Sequence, residues 1–315
     1  MFRAKLSLLS LAITALLLSV PLARVHAGDS QVSNANDLVS HHLDALGTSQ
    51  DRAKAKNRVA QGTAEFKVLV GGAGTLDGKS ALVSEGEKLH FMMKFSNNEY
   101  RGEQFIFNGG KTDVATATAR QSRSALGGFV YVQDAVMREG LWGGTLSTAW
   151  PLLDLEKHKA KVSFEGLKKV DGQDLYVLRY QPKKNTDLEI RLYFDPTTYR
   201  HVLTVYSLSE QSSMGGRSRA GLGGVNTPGT LDNPGGTPAI SSSETAAARQ
   251  QQIRHRLEER FSDFTTVDGL TLPMGYTIHF TQELQTGSTT VSEWVIHETS
   301  VDDNKTLDPR NFEVK

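Results

Sequence analysis

Cysteine is the one residue type that the sequence lacks entirely, since none occurs among its 315 residues. This absence excludes disulfide bonds, thiolate metal ligands and thiol nucleophiles, and it excludes a lipid anchor attached through a cysteine. An excess of charge of either sign is also lacking, because 35 lysines and arginines balance 35 aspartates and glutamates. A balanced chain has no overall field to attract nucleic acid, so we expect no nucleic-acid partner.

Recognisable catalytic motifs are missing as well. The sequence has no G-x-S-x-G elbow, H-E-x-x-H pair, P-loop or G-x-G-x-x-G turn. His41 and His42 are neighbours on a predicted helix and lie about 100° apart, so they do not share a face as a metal-binding pair would. We interpret them, and the adjacent Glu258 and Glu259 on opposite faces of a predicted strand, as solvated. We therefore expect no catalytic residue, no metal, no cofactor and no enzymatic activity.

The first residues of the chain have the pattern of an export signal. Arg3 and Lys5 precede an apolar run from Leu6 to Val20, and Val25-His26-Ala27 offers a cleavage site. A basic start, a short apolar run and such a site are typical of a secretory signal peptide, and the run is shorter than the ~20 residues of a membrane span. We expect residues 1–27 to be a signal peptide and residues 28–315 to be a single soluble, periplasmic domain.

A low-complexity segment interrupts the later part of the chain. Residues 212–243 contain eight glycines and three prolines and almost no apolar pattern. Ordering such a backbone costs roughly 1–2 kcal/mol per residue, with little burial to offset it. We expect a disordered insertion between two strands of the domain.

The dominant pattern elsewhere is an alternation of apolar and polar residues, which is typical of strands with one wet face. It is clearest in Phe66–Val70, Leu89–Phe95, Leu188–Phe194 and Tyr276–Phe280. Turn-forming pairs such as Asp-Gly separate the segments and favour antiparallel hairpins. The sequence predicts about a dozen strands in meander order. They follow a short helix that Asn36 or Asp37 caps and Gly47 ends.

The alternation stops between Gln121 and Leu155. Phe129, Val132 and Val136 recur there at helical spacing, and two of the three tryptophans follow, at positions 142 and 150. We expect this segment to cover the apolar face of the sheet. It is either an ordinary core helix with its loop or a movable lid.

Three segments resemble those of a known family, the LolA-like periplasmic carriers of outer-membrane lipoproteins and their lipoprotein-sorting relatives. They are DLVSHHLDALG (Asp37–Gly47), RLEERFSDFTTVDGLTLPMGYTIHF (Arg256–Phe280) and the ending VSEWVIHETSVDDNKTLDPRNFEV. The resemblance implies a fold that is mainly β with α. It is an incomplete β-barrel, a strongly curved antiparallel sheet of about 11 strands whose concave apolar face is covered by helices. Family carriers hold the lid closed with an arginine, and the resemblance does not assign that role to Arg58, to Arg101 or to any other arginine of this chain.

Residues and resemblance together favour a periplasmic carrier that shelters the acyl chains of lipids or lipoproteins in an apolar cavity. Such a carrier serves protein transport in lipoprotein sorting and outer membrane biogenesis, acts as a monomer, and meets membrane-protein donors and acceptors transiently. The alternatives are a non-enzymatic envelope sensory or protein-binding module on the same fold, and an enzyme of unrecognised type. The residues predicted to line the cavity, or simply to pack as core, are Phe91, Met93, Phe95, Phe129, Val132, Trp142 and Trp150.

Overall fold

Twelve antiparallel strands form one sheet in the computed structural model, which describes residues 32–116, 122–208, 254–283 and 287–314. The predicted signal peptide and the predicted insertion at 212–243 lie outside the described residues. The strands are β1 (Asn57–Val70), β2 (Thr75–Glu85), β3 (Lys88–Phe95), β4 (Glu103–Phe107), β5 (Thr112–Thr116), β6 (Lys161–Val170), β7 (Gln173–Gln181), β8 (Leu188–Phe194), β9 (His201–Leu208), β10 (Arg254–Val267), β11 (Leu270–Glu283) and β12 (Thr289–Asp303).

The strands follow the order β5-β4-β3-β2-β1-β12-β11-β10-β9-β8-β7-β6, with β5 and β6 at the outer edges. Strands that are consecutive in the chain are neighbours in the sheet, except β5 and β6, which the cover connects. The first and last strands, β1 and β12, pair in the middle of the sheet. This meander confirms the predicted antiparallel fold class, with twelve strands where the resemblance implied about eleven. The described residues from Ser33 onward belong to one compact unit.

Strong curvature of the sheet follows from a contact between Phe91 on β3 and Tyr276 on β11. Their ring centroids are 5.8 Å apart, although four strand-to-strand steps separate the two strands in the sheet. In a flat sheet four steps would span about 19 Å. The sheet must therefore bend around these side chains, which makes their face concave.

Helix α1 (Ala35–Leu46) lies over the concave face, with Leu38, Val39, His42 and Leu46 buried. Its N-cap is Asn34 and not the predicted Asn36 or Asp37, because the Asn34 side chain accepts hydrogen bonds from the backbone N–H groups of both. The helix ends at Leu46, before Gly47, as the sequence predicted. A second short helix, α2 (Ser49–Lys54), leads into β1.

Residues 122–158 cross the concave face between β5 and β6, and we call them the cover. They form short elements, not the longer helix that the spacing suggested. These are α3 (Ala125–Val132), α4 (Ala135–Arg138), 3-10 turns at Gly144–Leu146 and Pro151–Leu153, and α5 (Leu155–His158). Gly140 is one reason that no helix continues after α4. It has a positive φ of 71°, and a β-carbon there would collide with the backbone carbonyl of Ala149.

Candidate functional site: the covered concave face

Aromatic side chains from the sheet and the cover meet at the centre of the concave face. Trp142 of the cover stacks on Phe105 with ring centroids 4.9 Å apart and lies 5.8 Å from Phe91. Tyr276 closes the group against Phe91 from the far side of the bend. These side chains are fully shielded from water. The cover therefore packs on the wall that was predicted to receive acyl chains.

Six of the seven predicted lining residues are buried, each at most 5% exposed: Phe91, Met93, Phe95, Phe129, Trp142 and Trp150. The seventh, Val132, is 53% exposed. Val132 is the last residue of α3. The helical spacing from Phe129 to Val136, which predicted an inward position for it, is therefore interrupted directly after it. Val132 does not belong to the buried wall.

The six buried residues lie in separate parts of the interior. Phe91 and Trp142 are in the central aromatic group, and Phe95 is nearer one end, against Phe66 and Tyr100. Phe129 packs against His255 and Phe280. Trp150 packs on His201, with centroids 4.5 Å apart. The structure therefore spreads the predicted residues along the concave face and does not gather them around one point.

Small cavities lie beside the cover. A cavity of about 30 Å³ lies beside Arg58, Thr145 and Trp150, and another of about 10 Å³ lies beside His42 and His201. Ligand pockets for small molecules usually measure about 300–1,000 Å³. An acyl chain in either place would require the cover to move.

A buried ion pair connects the middle of the sheet to the cover. Arg58 on β1 donates through Nε and Nη2 to the carboxylate of Asp303 on β12, at 2.7 and 3.1 Å. Its Nη1 donates to the backbone carbonyl of Thr145 in the cover at 2.9 Å. Arg101 is exposed and donates to Asn98. Of these two arginines, Arg58 is therefore the one that contacts the cover.

A second buried polar contact is made by Glu259 on β10. Its Oε1 accepts hydrogen bonds from the backbone N–H of Gly143 at 2.8 Å and from the hydroxyl of Tyr276 at 2.5 Å. Its Oε2 accepts from the hydroxyl of Tyr206 at 2.5 Å. Burial raises the pKa of the Glu259 carboxyl to about 7, although the three donors act to lower it.

The solvated interpretation of the glutamate pair is wrong. The two side chains do lie on opposite faces, but Glu259 faces the covered side and is fully buried. Glu258 is 8% exposed and forms ion pairs with Arg256 and Arg260. Both carboxylates therefore have fixed partners. Glu259 is buried because the strand alternation places it on the same face as the apolar Leu257 and Phe261.

Three further hydrogen-bonded contacts fasten the cover along its length. Glu103 on β4 accepts from the backbone N–H and the hydroxyl of Ser124, at 2.7 and 2.5 Å, where α3 begins. Ser84 on β2 accepts from the backbone N–H of Thr148 at 3.0 Å. At the other side, the hydroxyl of Tyr180 on β7 donates to Glu139 of the cover at 3.1 Å. The cover is thus held by polar contacts over both halves of the sheet.

His42 of α1 contributes a buried contact that the sequence analysis missed. The indole Nε1–H of Trp150 donates to His42 Nε2 at 3.0 Å, and His42 Nδ1 lies 3.1 Å from the carbonyl of Tyr199. The proton therefore belongs on Nδ1. Burial lowers the pKa of His42 to about 4, so the ring is neutral at physiological pH. The interpretation of His42 as solvated is wrong, whereas its neighbour His41 stacks on Tyr199 near the surface.

In the described part of the chain, no three histidine or acidic side chains come together as a metal site would require. None of the helices that the structure describes is long and apolar enough to span a membrane.

Comparison with known proteins gives matches at the level of structure. No protein-family model and no curated protein sequence matches the chain. A LolA superfamily protein of Nitrosomonas europaea matches at 11% identity over 90% of this chain and 99% of its own, with a TM-score of 0.42. A domain of Vibrio parahaemolyticus described as an outer membrane lipoprotein-sorting protein matches at 11% identity over 87% and 97%, with a TM-score of 0.38.

A chain of the MucA/MucB complex of Pseudomonas aeruginosa matches at 11% identity over 86% of this chain and 100% of its own, with a TM-score of 0.24. Identities this low concern the fold alone. The solved structures that match this chain thus include members of the LolA superfamily, the family that the sequence itself resembles.

Proposed function

We propose that this protein is a periplasmic carrier that shelters the acyl chains of lipids or lipoproteins between the concave face and the cover. One observation carries the proposal. The cover is fastened to an aromatic wall by discrete buried hydrogen bonds, among them those of Arg58 to Thr145 and of Glu259 to Gly143. Such contacts form or break as units, so the cover can leave the wall without unfolding the sheet.

The energies involved suit reversible binding. Burying one CH₂ group of an acyl chain gains about 0.8 kcal/mol, so a chain of about fifteen such groups gains roughly 12 kcal/mol. Breaking one buried hydrogen bond of the cover costs about 1–3 kcal/mol. Exposing an aromatic anchor such as Trp142 costs about 3–5 kcal/mol, the usual cost of removing a large core side chain. A single chain therefore offsets the loss of one or two of these contacts, and we expect it to enter by opening part of the cover and not by detaching the whole of it.

The biological setting of this activity follows from the resemblance and the export signal. We place the mature protein in the periplasm, where it takes its ligand from one membrane-bound partner and gives it to another in lipoprotein sorting. No step of this transfer needs a catalytic residue. The alternative, a sensory module that binds an envelope protein, would leave the cover closed and use the outer surface of the sheet.

A disulfide lock tests the proposal directly, because the chain has no cysteine of its own. The Ser84 side chain and the backbone of Thr148 are in hydrogen-bond contact across the sheet and the cover. We expect the double variant Ser84→Cys, Thr148→Cys to bind a fluorescent acyl amide when it is reduced. The oxidised form should lose binding and regain it after reduction.

Each single cysteine variant, oxidised in the same way, serves as the control and should bind like the unmodified protein. Equal binding by the oxidised and reduced double variants would show that the ligand does not enter beneath the cover. Failure of every form to bind any acyl probe, together with capture of one envelope protein, would favour the sensory module.

A further inference from the structure

A row of residues crosses the middle of the concave face beside the central aromatic group. In the strand register, Met93 on β3 is opposite Ser80 on β2, Ser80 is opposite Gly62 on β1, and Gly62 is opposite Glu298 on β12. Residues opposite each other in a sheet share a face. Met93 alternates with the same period as Phe91, which contacts the cover, so the row lies on the covered face.

Small side chains are common beside this row. Within two residues of it on β1 and β2, the covered face carries Ala60, Gly62, Ala64, Gly78 and Ser80, with Leu82 as the one large side chain. Gly62 is required by the close approach of β12, because a β-carbon there would collide with the carbonyl of His297. The side chains of Ser80 and Glu298 therefore project from the same face with only a glycine between them, and their backbones lie two strand spacings apart, or about 10 Å.

Glu298 is the exception in this apolar setting. It is 6% exposed, and it lies on the same face as Trp294 and Ile296. Neither of its carboxylate oxygens has a hydrogen-bond partner in the structure, and the hydroxyl of Ser80 has none either. Burial alone raises the pKa of Glu298 to about 7. Buried polar groups in native proteins are nearly always hydrogen-bonded, so two such groups in one row indicate a missing partner.

We propose that Glu298 and Ser80 form a subsite for the polar head of the bound amphiphile, and that this head is a nitrogen donor, an acyl amide or an ammonium group. This inference rests on the proposed carrier function. A donor of this kind would satisfy the carboxylate of Glu298, while its acyl chain would lie along the wall beside Met93 and Phe91.

The charges around the row disfavour an anionic head above about pH 7. Burial raises the pKa of Glu259 and of Glu298 to about 7, so above that pH both carboxyls are ionised and would repel an anion beside them. Arg58, the cation on the same face of β1, is already engaged by both oxygens of Asp303. Sites that hydrogen-bond a particular group discriminate strongly against analogues that lack it. We therefore expect the subsite to select amides and amines over carboxylates that carry the same chain.

Three probes with the same sixteen-carbon chain test the inference on the full-length mature protein at about pH 8, where Glu298 is ionised. They are hexadecanamide, hexadecylammonium and hexadecanoate, each below its micellar concentration. We expect the amide and the ammonium to bind at least about tenfold more tightly than the carboxylate. The substitution Glu298→Gln should bring the carboxylate to within about twofold of the amide. Glu258→Gln, the same change on the opposite face, should leave the selection as it was.

The possible outcomes separate this inference from the function on which it rests. Equal binding of the three probes, or tighter binding of the carboxylate, would overturn the subsite and leave the carrier intact. Binding of none would overturn the carrier. Should Glu298→Gln fail to fold, Glu298→Met removes the carboxylate without creating a new unsatisfied group. If the Glu298→Met variant still binds the ammonium more tightly than the carboxylate, the subsite would also be overturned.

Discussion

The carboxylate of Glu259 accepts the backbone N–H of Gly143 at 2.8 Å inside the protein, where both residues are shielded from water. Glu259 belongs to the sheet and Gly143 to the cover, so this hydrogen bond links the two layers. Tyr206 and Tyr276 donate to the same carboxylate from the neighbouring strands β9 and β11. One acidic side chain thus organises three donors at the interface that must separate if the cover opens.

Replacing Glu259 with alanine should destabilise the protein strongly. The change leaves the Gly143 N–H and two tyrosine hydroxyls buried without their acceptor, and each such group costs about 1–3 kcal/mol. We expect a loss of at least about 3 kcal/mol in the free energy of unfolding, measured by urea titration. Glu258→Ala is the matched control, because its partners Arg256 and Arg260 can turn to solvent. Equal losses for the two variants would contradict the assigned role of Glu259.

The stability of the protein should fall as the pH rises through the range set by Glu298. Its pKa is about 7 in the folded protein and is raised from the ordinary 4.5, so the folded state holds a proton that the unfolded state has lost. The stabilising contribution is full below pH 4.5 and disappears as the pH rises through 7. The difference amounts to roughly 3 kcal/mol for this group.

Glu298→Gln should remove that part of the pH dependence. The difference in free energy of unfolding between the variant and the unmodified protein should therefore shift in favour of the variant by roughly 2 kcal/mol from pH 5 to pH 7.5. Glu259 also has a raised pKa and is present in both proteins, so its contribution cancels in the comparison. A variant with the same relative stability at both pH values would show that Glu298 is not a buried, unpartnered acid.

Loss of the Arg58 contact should loosen the cover more than the sheet. Arg58→Met leaves the carbonyl of Thr145 without its charged donor and the buried Asp303 without its counter-ion, at a cost of about 3–5 kcal/mol. Hydrogen–deuterium exchange should become faster, by at least about tenfold, in the residues of the cover near Thr145. Exchange in β7 and β8 should change less. Arg101→Met, at an exposed position, is the control and should leave the cover as it is.

Sequence periodicity was sufficient for the architecture. The alternation in segments such as Leu89–Phe95 and Leu188–Phe194 reports that one face of a strand is apolar, and those segments are β3 and β8. Turn chemistry then favoured antiparallel neighbours, which the meander confirms. The pairing of β1 with β12 lies beyond such reasoning, because it joins strands about 240 residues apart in the chain through contacts that no local pattern records.

Most of the polar contacts under the cover were missed for a different reason. A glutamate or a histidine is ordinarily exposed, so its residue type was given more weight than its position. His42 nevertheless lies between Leu38 and Leu46 at helical spacing, and Glu259 lies between Leu257 and Phe261 at strand spacing. Position within the apolar pattern was therefore the signal that could have identified both as buried. Their partners come from distant segments and could not be inferred.

The indole of Trp142 fills the centre of the interior against Phe91 and Phe105. Its Nε1–H is buried and has no acceptor in the structure, so the side chain holds its place by packing alone. Trp142→Leu should lower the free energy of unfolding by about 2–4 kcal/mol, because it leaves a cavity. The same change should tighten the binding of an acyl amide, since the ligand no longer has to displace the indole.

Trp294→Leu is the matched control for this experiment. Trp294 is equally buried, but it packs against Phe66 and donates its indole N–H to the hydroxyl of Tyr100. That substitution should cost comparable stability and leave the affinity for the ligand unchanged. Titration of both variants with the same probe, alongside urea unfolding, separates the two effects. If the acyl chain binds beneath Trp142, both variants should lose stability but only Trp142→Leu should bind the probe more tightly. Equal affinities of the two variants would place the ligand elsewhere.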